Sequence, residues 1–308
     1  MISRRNIRVK VMQTLYTLET SENNLNGEQS KKILENHLGQ TTQLFVYLVY
    51  FLTETARYAE TDARLKAAKH LPTEEDLHVN TKIAGNEVLW KIIEEPSYVQ
   101  AVKTWKPETM IDHELVKKIY QQLTESPEYI AYINTSGRDK KEERKIFEFI
   151  FSNLMLPNED FIAHIEEYFI HWDDDAEMLN LLMLNYLQKP GSYNFRQLVG
   201  EEKMQFARNL LQTAQDKKEY CQELIKPKLK NWDPDRIALL DMIIMRMGVC
   251  EFLYFETIPT KVTINEYIDL AKEYSTAQSG QFVNGILDNI HKDLLAEKKL
   301  HKVDFKKQ

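Results

Sequence analysis

The chain has 308 residues, of which 43% are hydrophobic and 28% charged, with a net charge of −7. That length suffices for a buried core in one or two domains, and the acidic balance excludes a uniformly polycationic protein. With 9 Gly and 9 Pro in all, breakers are too sparse for a many-turned β fold. No run of about 18 apolar residues occurs, so no membrane span is expected. The Arg-rich start has no continuous apolar core behind it, which argues against a secretory signal. Cys221 and Cys250 stand alone without a CxxC. They read as core residues in a reducing, cytoplasmic setting.

In chain order, Ser3 is placed to cap a helix from Arg4, along which Ile7, Val11, Leu15 and Leu18 recur at helical spacing. The polar stretch 22–27 should end it. A long helical pattern then runs from about Glu28 to Lys69, broken near Pro72. Shorter helices are expected near 82–94, 97–105, 112–124, 139–153 and 158–170. Asp173 to Asp175 are placed to cap the next helix, over 176–188, before the turn Lys189-Pro190-Gly191-Ser192. Helices over 200–218 and 219–230 follow, the second interrupted at Pro227. Asp233 and Pro234 suit the N-cap and first position of a helix carrying Ile237, Leu240, Ile244 and Met247. Being apolar on more than one face, that helix belongs at the centre of a bundle. Thr263-Ile264-Asn265-Glu266 reads as a capping box, and Ser279 as the cap of a last helix striped by Phe282, Ile286 and Ile290. The fold class is therefore all-α.

The chemistry-bearing patterns are few. GxxxxGK[ST], GxGxxG and GxSxG are all missing, and the eight His are scattered. No catalytic residue, metal site or cofactor is expected, and the chain does not read as an enzyme. The Asp173 to Asp175 run suits a charged helix start better than a cation site. The N-terminal cluster differs: Arg4, Arg5, Arg8 and Lys10 occur with no acid through residue 18. Arginines one turn apart, beside the free N–H groups of a helix start, suit phosphate. A solvated basic helix start reads the same way from sequence. The Lys-rich stretch 298–307 has a plain reading as a solubility tail.

The C-terminal third carries DMIIMRMGVCEFLY (241–254), PTKVTINE (259–266), IDLAK (268–272) and FVNGILD (282–288). In order and spacing these resemble the NusB family, and the Arg-rich start running into Thr14-Leu15-Tyr16 is similar to that family's first helix. The resemblance covers about 1–20 and 201–295. It implies an all-α, NusB-like helical bundle of two packed helical subdomains, with extra helices from an insertion. The corresponding division is an Arg-rich helix at 1–27, an insertion or extension at 28–199, a C-terminal bundle at 200–296 and a basic tail at 297–308.

The resemblance also implies a function: transcription antitermination, with binding to boxA-type RNA together with NusE, a small-subunit ribosomal protein. This would occur within an RNA polymerase antitermination complex supporting rRNA transcription. Arg4, Arg5, Arg8 and Lys10 would face RNA, with Lys261, Asn265, Gln281 and Asn284 completing the surface and Tyr16 nearer the protein partner. Asn265 and Asn284 read equally as ties between helix ends, and Gly285 suggests close approach of a neighbouring helix. The chain departs from the family's usual residues at Met242, Cys250 and Thr257. A helical protein-interaction scaffold without RNA binding is the alternative; the RNA methyltransferases that carry a similar domain also have a catalytic fold for which this sequence has no glycine-rich loop. Four cations on single-stranded phosphates would give a log–log salt slope of about −3.

Overall fold

The computed structural model describes residues 2–21, 27–229 and 237–303. Among these, every regular element is helical. The first five α-helices are α1 (Arg4–Thr20), α2 (Gly27–Ala67), α3 (Glu74–Leu77), α4 (Glu87–Ile93) and α5 (Pro96–Trp105). Next come α6 (His113–Glu125), α7 (Pro127–Asn134), α8 (Lys140–Phe149), α9 (Glu159–Tyr168) and α10 (Trp172–Gln188). The last five are α11 (Glu201–Asp216), α12 (Lys218–Ile225), α13 (Leu239–Tyr254), α14 (Thr260–Tyr274) and α15 (Ser279–Ala296). The chain divides into two compact units, Gly39–Leu198 and the pair of stretches Ile2–Leu38 and Val199–Gln308.

In the Gly39–Leu198 unit, local chemistry sets the short helices. Asn86, Asp112, Ser126, Asp139 and Asn158 each accept a backbone N–H at a helix start. Pro96 and Pro127 occupy first helical positions, where no N–H is needed. Thr73 and Asp76 form a capping box that opens α3, a helix the break at Pro72 concealed. The core is aromatic. Phe51 lies 4.7 Å from Phe161 between ring centroids, and Phe45 stacks on Phe195 at 5.5 Å. Each such ring, taken out of water, contributes on the order of 2 kcal/mol.

Several buried polar groups in this unit pair with each other. Tyr47 and His164 share a hydrogen bond of 2.6 Å, and Glu143 accepts from the Tyr132 hydroxyl at 2.8 Å. Asp173, Asp174 and Asp175 do not cap α10: they lie inside its first turn, with His171 at the N-cap. Asp175 is buried and accepts from Thr41 Oγ1 at 2.6 Å. Acids in a first turn still favour the helix dipole.

In the second unit, α13 is buried on every side over its middle turns and packs against α1, α11, α12, α14 and α15. That is the central helix its all-round apolar pattern predicts. The Asp233-Pro234 start signal lies outside the described residues, but α13 begins at Leu239, so Ile237, expected on this helix, lies before it. α1 begins as expected, with Ser3 Oγ accepting from Asn6 N at 3.2 Å.

Three expectations are overturned here. The capping box at Thr263 does not form, because α14 starts three residues earlier, after Pro259. Thr263 is buried and donates to Glu251 Oε1 at 2.9 Å. Ser279 is not the cap of α15, whose N-cap is Gln278; its Oγ donates to Asp241 Oδ2 at 2.8 Å. Gly285 faces open space, whereas a Cβ on Gly248 would sit 3.0 Å from Leu287 Cδ2 and 3.4 Å from Tyr267 Cδ2. Gly248 is thus the glycine that allows close helix packing. Lys302 folds back to donate to the carbonyls of Glu251 and Phe255 at 2.8 and 2.7 Å, at the C-terminal end of α13. At this position the lysine-rich end has a structural task besides solubility.

Candidate nucleic-acid interface

All the residues that sequence marks for RNA or partner contact belong to the second unit. The four N-terminal cations have different fates there. Lys10 is fully buried. Arg8 is 2% exposed and points at Glu251, a carboxylate on α13 with no exposed surface. Arg8 Nε and Nη2 each donate to one Glu251 oxygen at 2.9 Å, and Nη1 donates to Glu266 at 3.0 Å. Glu251 also accepts from Thr263 Oγ1 and from the Tyr267 hydroxyl at 3.0 Å. The guanidinium lies 5.5 Å from the ring centroid of Phe206.

Burial works against the charge on Arg8, but the hydrogen bonds and charge of Glu251 outweigh it and raise its pKa. The buried Tyr267 hydroxyl is also held well above its usual range, first by burial and then by Glu251. Arg8 is therefore corrected from an RNA contact to the centre of a buried network joining α1, α13 and α14. Its Nε, Nη1 and Nη2 each donate to a carboxylate, and its burial withdraws it from the surface. Lys10 is withdrawn for the same reason, burial.

Arg4 and Arg5 remain at the surface, each with 41% of its side chain exposed. Arg4 pairs with Glu202 at 2.5 Å, and Arg5 with Glu273 at 2.9 Å and Asp269 at 3.4 Å. Glu266, Asp269 and Glu273 recur at helical spacing along α14, so this stripe presents acids to α1. Lys261 and Asn265, one turn apart on α14, are exposed, as are Gln281 and Asn284 on α15. α14 and α15 pack against each other, and Gly285 adds a side-chain-free stretch beside Asn284. Tyr16 is 45% exposed on α1. The structure thus leaves seven of the nine marked residues accessible, all but Arg8 and Lys10.

Sequence reasoning missed Glu251, Tyr267 and Phe206. One signal for Glu251 was present: a carboxylate within the apolar run of 243–252 must find a cation. Arg246 in the same run obeys the same logic, donating to Glu19 Oε1 at 2.8 Å. Among the described residues no cluster of His, Cys, Asp and Glu could hold a metal, and no helix is long and apolar enough to cross a membrane.

Comparison with known proteins decides the family. The NusB family model matches residues 166–292. The curated "Transcription antitermination protein NusB" of Bacillus mycoides (strain KBAB4) is 44% identical over 96 residues, 31% of this chain and 73% of that protein. The chain belongs to the NusB family. The protein of the same name from Methylacidiphilum infernorum (isolate V4) is 47% identical over 83 residues, and that from Salinibacter ruber (strain DSM 13855 / M31) 41% over 97. The chain spans 58% and 61% of those two proteins. No solved structure matches. The NusB match starts at residue 166, within α9, earlier than the motif resemblance from 201.

Proposed function

We propose that this NusB-family chain is a non-enzymatic, cytoplasmic transcription antitermination factor that binds boxA-type RNA together with NusE. The observation carrying this reading is the 44% identity to an antitermination protein across 73% of that protein's length. Its RNA surface is Arg4 and Arg5 with Lys261, Asn265, Gln281 and Asn284; its protein contact includes Tyr16. The ion pairs of Arg4 and Arg5 do not bar phosphate, because exposed pairs contribute only about 0–1 kcal/mol. With Arg8 and Lys10 inside the fold, three cations remain, and the expected salt slope falls to about −2.

Titration of a fluorescent boxA-like single strand, with and without NusE, tests this reading over a range of salt. Arg4→Ala with Arg5→Ala should weaken binding and flatten the slope by about 1.4, at 0.7 per contact. Wild-type affinity and slope in that variant would remove RNA from this surface.

One observation favours the second reading, a protein-binding scaffold. Of four N-terminal cations two are buried, and the exposed two face Glu202, Asp269 and Glu273. On that reading NusE still binds while RNA does not.

A further inference from the structure

The second unit holds one group of reactive side chains that RNA binding does not use. Cys221 on α12 and Cys250 on α13 are both fully buried, with their Sγ atoms 3.5 Å apart. Arg246 lies one turn before Cys250 and is 5% exposed. Its Nη1 is bound to Glu19, but its Nε and Nη2 are buried with no acceptor among the described residues. Two idle donors on a buried cation are costly unless negative charge forms beside them. Arg246 acts coulombically on both thiols.

We propose that Cys221 and Cys250 form a peroxide-responsive thiol pair that closes into a disulfide between α12 and α13, with Arg246 stabilising the attacking Cys221 thiolate. The pairing is asymmetric. The hydrogen bond shared with Cys250, aided by the charges of Arg246 and Lys217, outweighs burial and holds Cys221 below the usual thiol range. The same hydrogen bond, and then burial, push Cys250 up. On this proposal Cys221 is the nucleophile and Cys250 the resolving thiol.

In the first step the Cys221 thiolate attacks one oxygen of hydrogen peroxide. The O–O bond breaks, Cys221 becomes a sulfenic acid and hydroxide departs. In the second, Cys250 sulfur attacks Cys221 sulfur and the S–O bond breaks. The leaving hydroxide takes the Cys250 proton as water. Two thiols and one peroxide thus give one disulfide and two waters, the peroxide accepting both electrons. The sulfurs, 3.5 Å apart, must approach to about 2.05 Å for the bond to form. A cavity of about 150 Å³ is lined by Glu19 of α1 and by Lys218, Gln222, Ile225, Met242 and Arg246, on the helices that carry the two cysteines. Its volume admits a peroxide, which is little larger than water.

Two buried cysteines in contact are otherwise ordinary small apolar core residues, and the full-length protein distinguishes the two cases without RNA. Folded protein is exposed to hydrogen peroxide, alkylated, digested and analysed by mass spectrometry. The expected product is a peptide pair linked through Cys221 and Cys250, two hydrogens lighter than the reduced pair and released by dithiothreitol. Cys250→Ala should accumulate a dimedone-trappable sulfenic acid on Cys221, whereas Cys221→Ala should leave Cys250 unreacted. Arg246→Gln, checked for folding by circular dichroism, should slow sulfenic acid formation several-fold. Two free thiols persisting in folded wild type, or oxidation beyond sulfenic acid without a cross-link, would overturn the proposal. An unchanged rate in a folded Arg246→Gln variant would remove the arginine from it.

Discussion

Arg8 and Arg4 are neighbours on one helix, yet their energetic roles differ by environment alone. Removing Arg8 strands Glu251 without exposure and without its bidentate partner. Arg8→Ala should therefore cost about 3–5 kcal/mol in urea unfolding, whereas Arg4→Ala should cost less than about 1 kcal/mol. A loss of RNA binding in Arg8→Ala would report folding and not contact. Glu19 makes a pH prediction. Burial would raise its pKa, but hydrogen bonds from Lys218 and Arg246, with their charges, win and lower it from the ordinary 4.5. A carboxylate with a depressed folded value contributes stability that is fully present above 4.5 and is lost as pH falls through the lower folded value. The melting-temperature gap between wild type and Glu19→Gln should thus shrink on acidification below that point.

At the scale of helices, legibility followed periodicity. α2 and α13 were plain from sequence because long or all-round apolar patterns have one physical solution. The starts of α14 and α15 were misread, since Thr263 and Ser279 have better partners in Glu251 and Asp241 than the backbone donors beside them. A capping motif fixes which bonds are available locally and says nothing of a buried acceptor brought in from another helix. The same limit applied to the candidate site. Arg4 and Arg5 were legible as accessible cations, but the burial of Arg8 depends on Glu251, 243 residues away in sequence. The glycines of α13 and α15 test the packing. Gly285→Ala meets open space and should stabilise α15 by about 0.5–1 kcal/mol through helix propensity. Gly248→Val must push against Leu287 and Tyr267 and should cost about 1–3 kcal/mol. Thermal melts followed by circular dichroism separate the two signs.

For the molecule as a whole, the two units differ in how their contacts run along the chain. Gly39–Leu198 is continuous, while the other unit joins Ile2–Leu38 to Val199–Gln308. Loop closure of that length delays contact formation. In pulse-labelled hydrogen exchange during refolding, amides of α6, α8 and α9 should gain protection before those of α1 and α13. Simultaneous protection would mean that folding does not follow sequence separation. Nascent chains meet the same condition in time. With translation at roughly 5–20 residues per second, α1 emerges roughly ten to forty-five seconds before α13 does. During that interval Ile7, Val11 and Leu15, fully enclosed in the finished protein, have no helix to lie against. Every residue of the continuous unit has by then been made, so a ribosome stalled near residue 200 would hold one unit complete and the bare first helix of the other. Such a helix is a natural client for a chaperone that grips short apolar segments.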